Sequence, residues 1–350
     1  MRPHRVLVLA VQTPFADGGA ERHVRRLTEE LRKRGVDADL VSMPLAERER
    51  FDIVRGALGW RSLDLSEAGG QPVDAVIATR FPTYAIRHPR KLVWLIHQYR
   101  QAYDQFGTAY SDLTSSPEDR RTREVIARID QVGLLEARKV FANSQTVAAR
   151  LRRFNGIQSE PLYHPPPLAG RYRNGPLGDT VLWVGRLDEW KRPSLLLRAL
   201  PHAPEARAVL VGRGPEEAKL RSLAAQLGVE GRVRFAGQVD DEALLSLYAE
   251  ARIVAVTAAG EDLGYVPLEA FLSGKTVLTT EDAGGPLEFV KDGQTGIVTA
   301  PRPEALGIGL RLAWSRPEAL RAMGEAGRAR AARLDWDGPV RALLAAAGLQ

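Results

Sequence analysis

Two successive series of short apolar runs, each alternating with amphipathic stretches, constrain this chain more than any other feature. The runs at 6–11, 38–41, 75–78, 92–96 and 140–142 are predicted strands, with helices over 20–34, 120–139 and 146–154. A second series predicts strands at 181–184, 208–211, 233–235, 253–256 and 276–278, with helices at 193–200, 215–227, 241–250 and 266–272. Strands separated by helices imply a parallel sheet, because each crossover must return the chain to the edge where the previous strand began. Between the series proline crowds the chain at Pro161 and Pro165-Pro166-Pro167, and a polar stretch over 170–179 follows, which is a linker composition. The predicted architecture is α/β, with two Rossmann-like, doubly wound domains at 1–168 and 169–335 facing across a cleft. A last helix within 336–350 is expected to cross back onto the first domain. At 350 residues, 44% of them hydrophobic, the chain is long enough for two cores.

Composition excludes several chemistries. There is no cysteine, so disulfides, thiolate metal sites and cysteine nucleophiles fall away together. The basic start, Met1-Arg2-Pro3-His4-Arg5, leads into only six apolar residues, which reads as a first strand and not as a signal peptide. No run approaches the roughly 18 apolar residues of a membrane span, so the expected location is cytoplasmic, or peripheral at the inner membrane face. The net charge of +6 is unevenly held: residues 1–170 carry 26 Lys and Arg against 20 Asp and Glu, whereas 171–350 carry 23 of each. The excess in the first half suits an anionic acceptor or membrane surface, and solvated arginine-rich helices explain it equally. Nucleic acid is not expected, because no recognition-helix, zinc or aromatic-basic signature accompanies the charge.

The chemistry-bearing residues sit just after predicted strands, at the carboxyl edge where open parallel sheets bind ligands. Arg186 and Lys191 follow the strand at 181–184 and offer a planar fork and a point charge, which complement each other on a diphosphate. Glu261 precedes a predicted helix start and Glu269 lies within the helix, about 8 Å along it at ~1.5 Å per residue. The N–H groups of Leu263, Gly264 and Tyr265 at that start suit a phosphate. Carboxylates on either side of a phosphate site match a nucleotide sugar, with hydroxyls at both ends. Gly18-Gly19 lies between the first strand and first helix, and Gly212 ends another strand. Both admit close approach of a ligand, and a plain tight turn explains either as well. His97 ends the strand at 92–96 and is a candidate polar contact to sugar or acceptor. Asp37-Ala38-Asp39 spells a metal-binding pattern, but at the opposite sheet edge, so no metal site is expected.

In these residues the chain resembles the family 4 retaining glycosyltransferases of GT-B fold. The resemblance runs through Gly18-Gly19-Ala20-Glu21, His97, Ala142-Asn143-Ser144, Gly185-Arg186-Leu187 with Lys191, Gly212 to Pro215, the Glu261 to Glu269 element and Gly284-Gly285-Pro286-Leu287-Glu288. It implies that Arg186 and Lys191 hold the donor diphosphate, Glu269 the ribose and Glu261 the transferred sugar. His97 would lie near the reacting centre and Gly18-Gly19 opposite the phosphates. The chain departs from the family where Asp262-Leu263 replaces the usual Gly-Phe, and after His97, where 98–104 suggests a distinctive acceptor loop. The implied reaction is metal-independent transfer of a hexose from a UDP- or GDP-linked donor to the hydroxyl of a glycan, glycolipid or small molecule. Configuration would be retained by front-face attack, with no cofactor beyond the donor. An epimerase or phosphorylase on the same fold, or a non-catalytic binding subunit, are the other readings open at this point.

Overall fold

The computed structural model describes residues 2–12, 18–45, 50–108 and 110–349. The chain divides into two compact units, Met1–Pro167 with Asp335–Gln350, and Leu168–Leu334.

The first unit contains strands β1 (Arg5–Gln12), β2 (Asp37–Pro44), β5 (Ala75–Ala78), β6 (Lys91–Leu95), β7 (Lys139–Ala142) and β8 (Glu160–Pro161). They form one sheet in the order β2-β1-β5-β6-β7-β8, every neighbouring pair parallel. A small hairpin, β3 (Glu67–Ala68) with β4 (Gln71–Pro72), lies apart from it. The crossovers include α1 (Gly19–Lys33), α2 (Arg50–Ser62), α3 (Pro117–Leu135) and α4 (Gln145–Asn155). Side chains alternate between two cores. Val6, Val8 and Ala10 of β1 pack on one face with Leu27, Leu31 and α12 (Asp337–Ala347), while Leu9 packs on the other with Ile53 and Ile126. A strand buried on both faces reads as continuous apolar sequence, which is why β1 was legible. Asp37 and Asp39 of the D-x-D pattern pair with Arg5 and Arg32 at the start of β2.

The second unit repeats the plan with β9 (Thr180–Val184), β10 (Arg207–Val211), β11 (Val233–Gly237), β12 (Ile253–Val256), β13 (Val277–Thr280) and β14 (Gly296–Thr299). Their order is β11-β10-β9-β12-β13-β14, again all parallel. The helices are α5 (Pro193–Ala199), α6 (Glu217–Gln226), α7 (Asp241–Glu250), α8 (Tyr265–Leu272), α9 (Pro286–Phe289), α10 (Pro303–Ser315) and α11 (Pro317–Ala331). In each sheet the order reverses beside the first strand, at β1/β5 and at β9/β12. Loops leaving the carboxyl ends of strands on the two sides of such a switch diverge and leave a crevice. In the second unit, Arg186 and Lys191 lie on the loop after β9, and Glu261, Leu263 and Gly264 on the loop after β12.

Candidate active site

The loops after β9 and β10 are packed backbone to backbone. Gly212 has φ +126°, and a Cβ there would come within 1.9 Å of the Gly185 carbonyl oxygen; at Gly214 it would come within 2.2 Å of the Leu187 carbonyl. Leu187 N–H donates to the Arg213 carbonyl at 3.0 Å, locking the pair. Gly212 therefore has a structural reason for being glycine that needs no ligand.

Three loops are then stapled around Lys191. Thr257, just past β12, accepts from the Trp183 indole at 2.9 Å and donates to the Lys191 carbonyl at 2.8 Å. Arg192 donates to the Thr257 carbonyl at 2.6 Å and grips both oxygens of Asp282, beyond β13, at 2.8 and 2.7 Å. Burial opposes ionisation of Asp282, but the Arg192 fork and Thr280 override it and hold the carboxyl below its usual range. Arg192 has φ 47°, the one positive φ outside glycine among the described residues. A strained non-glycine residue persists where its surroundings over-determine it, and here three side-chain anchors do so. The Glu261 loop is bound to the next one by Glu261 N–H donating to the Ala283 carbonyl at 2.7 Å and Gly285 N–H to the Glu261 carbonyl at 2.8 Å. Close passage at Gly284, where a Cβ would lie 2.6 Å from the Glu261 carbonyl, requires glycine, and its φ is +76°.

This framework brings Lys191 and Glu261 together as an ion pair, with side chains 34% and 20% exposed. Burial works against the ammonium, but the charge of Glu261, then of Asp188 and Asp262, raises the Lys191 pKa above the ordinary lysine value. Lys191, Glu261, Gly264 and Tyr265 line one cavity floored by β9 and β12. Gly264, at φ +75°, caps α8, and Leu263 beside it is buried. Glu269, a little over one turn into α8, is 8% exposed and accepts a 2.6 Å hydrogen bond from the Tyr248 hydroxyl. Burial and then the Glu269 charge push the phenols of Tyr248 and Tyr265 above their ordinary range, so both remain hydroxyl donors at neutral pH. Arg186 stands apart from that cavity lining, 69% exposed and 3.7 Å from Asp188. Trp183, Arg192, Thr257, Tyr248 and Asp282 were not read from the sequence as part of this site. The position of Arg192 directly after Lys191 and before a proline was the only signal available for any of them.

Of the first-unit candidates, Gly18 is the N-cap of α1 and its N–H donates to the Glu21 carboxylate at 3.0 Å. Gly19 opens the helix. Arg80 joins this corner, donating to the Val11 carbonyl at 2.6 Å and to Glu21 at 3.4 Å. His97 lies two residues beyond β6, half-buried, with Nδ1 2.9 Å from the Gln98 carbonyl oxygen. His164 is buried among His23, Trp94 and Trp336, a packing role. Among the described residues no group of three or more His, Asp or Glu is arranged to hold a metal ion.

Two all-parallel, six-stranded sheets, each wrapped by helices, define the class: two Rossmann-like domains, the GT-B fold. Sucrose-phosphate synthase from Thermosynechococcus elongatus superposes with a TM-score of 0.75 over 98% of this chain and 100% of its own, at 21% identity. Anabaena HepE, solved in complex with UDP-glucose, does so with a TM-score of 0.65 over 98% of each chain, also at 21% identity. Residues 17–166 match the family described as Glycosyltransferase Family 4, and residues 177–330 match Glycosyl transferases group 1. A D-inositol 3-phosphate glycosyltransferase from Nocardia farcinica is 28% identical over 98% of this chain and 89% of its own length. The chain belongs to the family 4 glycosyltransferases and transfers glycosyl groups. No helix among the described residues is long and apolar enough to cross a membrane.

Proposed function

We propose that the protein moves a hexose from a UDP- or GDP-linked donor to an acceptor hydroxyl in glycan or glycolipid assembly, with retained configuration and without a metal. The observation that carries this reading is the Lys191–Glu261 pair at the carboxyl ends of β9 and β12, with Glu269 buried farther along the adjoining helix. Lys191 holds the diphosphate, with Arg186 as a second cation, long and exposed enough to swing onto it. The N–H groups at 263–265 complete the anion site, Glu269 takes the ribose hydroxyls and Glu261 those of the hexose. That nucleotide-sugar donors suit this fold is supported by HepE, whose solved complexes contain UDP and UDP-glucose.

In the reaction, the bond between the anomeric carbon and the diphosphate oxygen breaks on the face where the acceptor oxygen arrives. The acceptor's proton passes to the leaving phosphate oxygen. Lys191 and Arg186 then act on charge that grows as the diphosphate departs, which is where a cation lowers a barrier most. His97 is assigned a polar contact at the reacting centre. The acceptor is assigned to the first unit, whose sequence holds the positive excess, and is either anionic or carried at an anionic membrane surface. Much of the charge on α1 is already matched: Glu30, 5% exposed, takes Arg26, Lys33 and Arg34.

Incubation with a panel of UDP- and GDP-hexoses, with and without acceptor hydroxyl compounds, tests the reading. Slow donor hydrolysis, lost in Lys191→Ala, supports transfer. A sugar isomerised while still attached to its nucleotide would instead mean an epimerase, and dependence on inorganic phosphate a phosphorylase.

A further inference from the structure

The turn that carries His97 is anchored by a chain of buried polar groups in the first unit, and each link constrains the next. Asp130 of α3 is fully buried and receives hydrogen bonds from two hydroxyls, Tyr84 at 2.7 Å and Tyr103 at 2.5 Å. The Tyr103 oxygen accepts in turn from the Asn155 amide nitrogen at 3.1 Å. The Asn155 carbonyl oxygen accepts from the amide of Gln98, itself 2% exposed. The Gln98 main-chain carbonyl is the group that His97 Nδ1 approaches at 2.9 Å.

Direction follows from chemistry. When ionised, the Asp130 carboxyl only accepts, so both tyrosines then donate to it. With its proton committed to Asp130, Tyr103 has only lone pairs for Asn155, which must present its NH2. Asn155 then has only its carbonyl for Gln98, which must donate as well, leaving Gln98 Oε1 as a buried acceptor with no partner among the described residues. A carbonyl oxygen also only accepts, so His97 must carry a proton on Nδ1, and in the neutral ring Nε2 is then the lone-pair acceptor. A second tie holds the same turn, since Arg123 of α3 donates to the Ala102 carbonyl at 2.9 Å and stacks over Phe106.

We propose that Asp130, acting through Tyr103, Asn155 and the Gln98 side chain, is a positioning residue that holds the Gln98 main-chain carbonyl against His97 Nδ1 and so fixes the place and the tautomer of the ring. Donors aligned one way along a buried chain polarise one another, so removing any one member loosens the rest. Burial pushes the Asp130 carboxyl up to about 7 against the two hydroxyl donors, so the carboxylate that sets the direction of the chain is the form present above that pH. Its catalytic consequence rests on the role proposed above for His97; the structural claim does not.

The test is nitrogen-15 NMR of histidine-labelled full-length protein. The wild type is expected to show His97 as one tautomer, protonated at Nδ1. In Asp130→Asn, which replaces one acceptor oxygen with a donor, and in Tyr103→Phe, which cuts the chain while keeping the ring on Phe154, His97 is expected to become a mixture of tautomers. The buried His23 and His164 signals should stay in place and report an intact fold. Should Asp130→Asn fail to fold, Tyr103→Phe decides. His97 signals identical to wild type in a folded variant would overturn the proposal. In parallel, hydrolysis of UDP-glucose should lose on the order of 10–100-fold in kcat with KM little changed, the scale of a misplaced reacting group. If His97→Ala leaves hydrolysis intact, the role given to His97 fails while the NMR result still judges the chain that holds it.

Discussion

Replacing Glu261 with glutamine is expected to strengthen binding of free UDP while reducing transfer. The carboxylate is the immediate partner of Lys191, so it occupies the cation that the proposed function gives to the diphosphate. A phosphate drawn to Lys191 would sit about 6 Å from the carboxylate, where the repulsion is about 0.7–2.8 kcal/mol for effective dielectric values from about 80 down to 20. Both side chains are partly exposed, which favours the lower end. Glutamine keeps a side-chain carbonyl that can still accept from the Lys191 ammonium, so only a small part of the about 0.5–1.5 kcal/mol cost of ordering a freed side chain offsets this gain. The net expectation is tighter UDP binding by about 1 kcal/mol or less, up to roughly fivefold. Lys191→Ala should instead weaken UDP by about 1.5–3 kcal/mol, the worth of a charged hydrogen bond. Titration calorimetry with UDP on the two variants and the wild type measures both. Equal weakening in Glu261→Gln and Lys191→Ala would refute the reasoning, because the carboxylate would then be a ligand of the nucleotide and not its competitor.

Tyr248→Phe removes the donor to buried Glu269 and should weaken free UDP by about 1–3 kcal/mol, whereas a nucleotide affinity equal to wild type would detach Glu269 from the ribose. Gly212→Ala should lower the melting temperature measurably even without ligand, since its Cβ meets a carbonyl; a stable variant that only loses UDP binding would give that glycine back to the ligand. Burial holds His164 down at about 4, so its unfolded form takes up a proton first. Stability from this group is whole above about pH 6.5 and is lost as pH falls through that value towards 4. The melting temperature of His164→Gln relative to wild type should therefore rise steadily across that window, and a constant difference would dismiss the linkage. Binding to anionic vesicles is expected to fall between about 50 and 300 mM salt, and to weaken when Arg22, Arg25 and Arg26 become glutamine. No binding at low salt would favour a soluble acceptor.

Strands buried on both faces were legible because nothing interrupts their apolar runs. Helix α2 was not, since Gly56 and Gly59 break its pattern; at the first a Cβ would lie 2.5 Å from a Leu45 methyl. Helices α10 and α11 went unread, and so did β14, four residues long and opening on Gly296, a glycine fitted against the Val277 carbonyl. Lys191 and Glu261 were each found from their place after a strand. Their pairing was not, because it joins residues 70 apart through the adjacency of β9 and β12. The Arg192 staple was hidden for a related reason: its left-handed backbone depends on Asp282 and Thr257, which only the folded sheet brings near. Asp130 looked like an ordinary polar residue on an amphipathic helix, and its meaning depends on tyrosines from two other segments.

The central claim, transfer from a nucleotide-diphosphate hexose with retention, is tested most directly by proton NMR of donor turnover. The protein is incubated with UDP- and GDP-hexoses of known α configuration, and the anomeric signal of the first sugar product is followed before mutarotation. The account predicts release or transfer as the α anomer, undiminished by EDTA and abolished in Lys191→Ala. A β anomer as first product, or turnover that requires added manganese or magnesium, would contradict it.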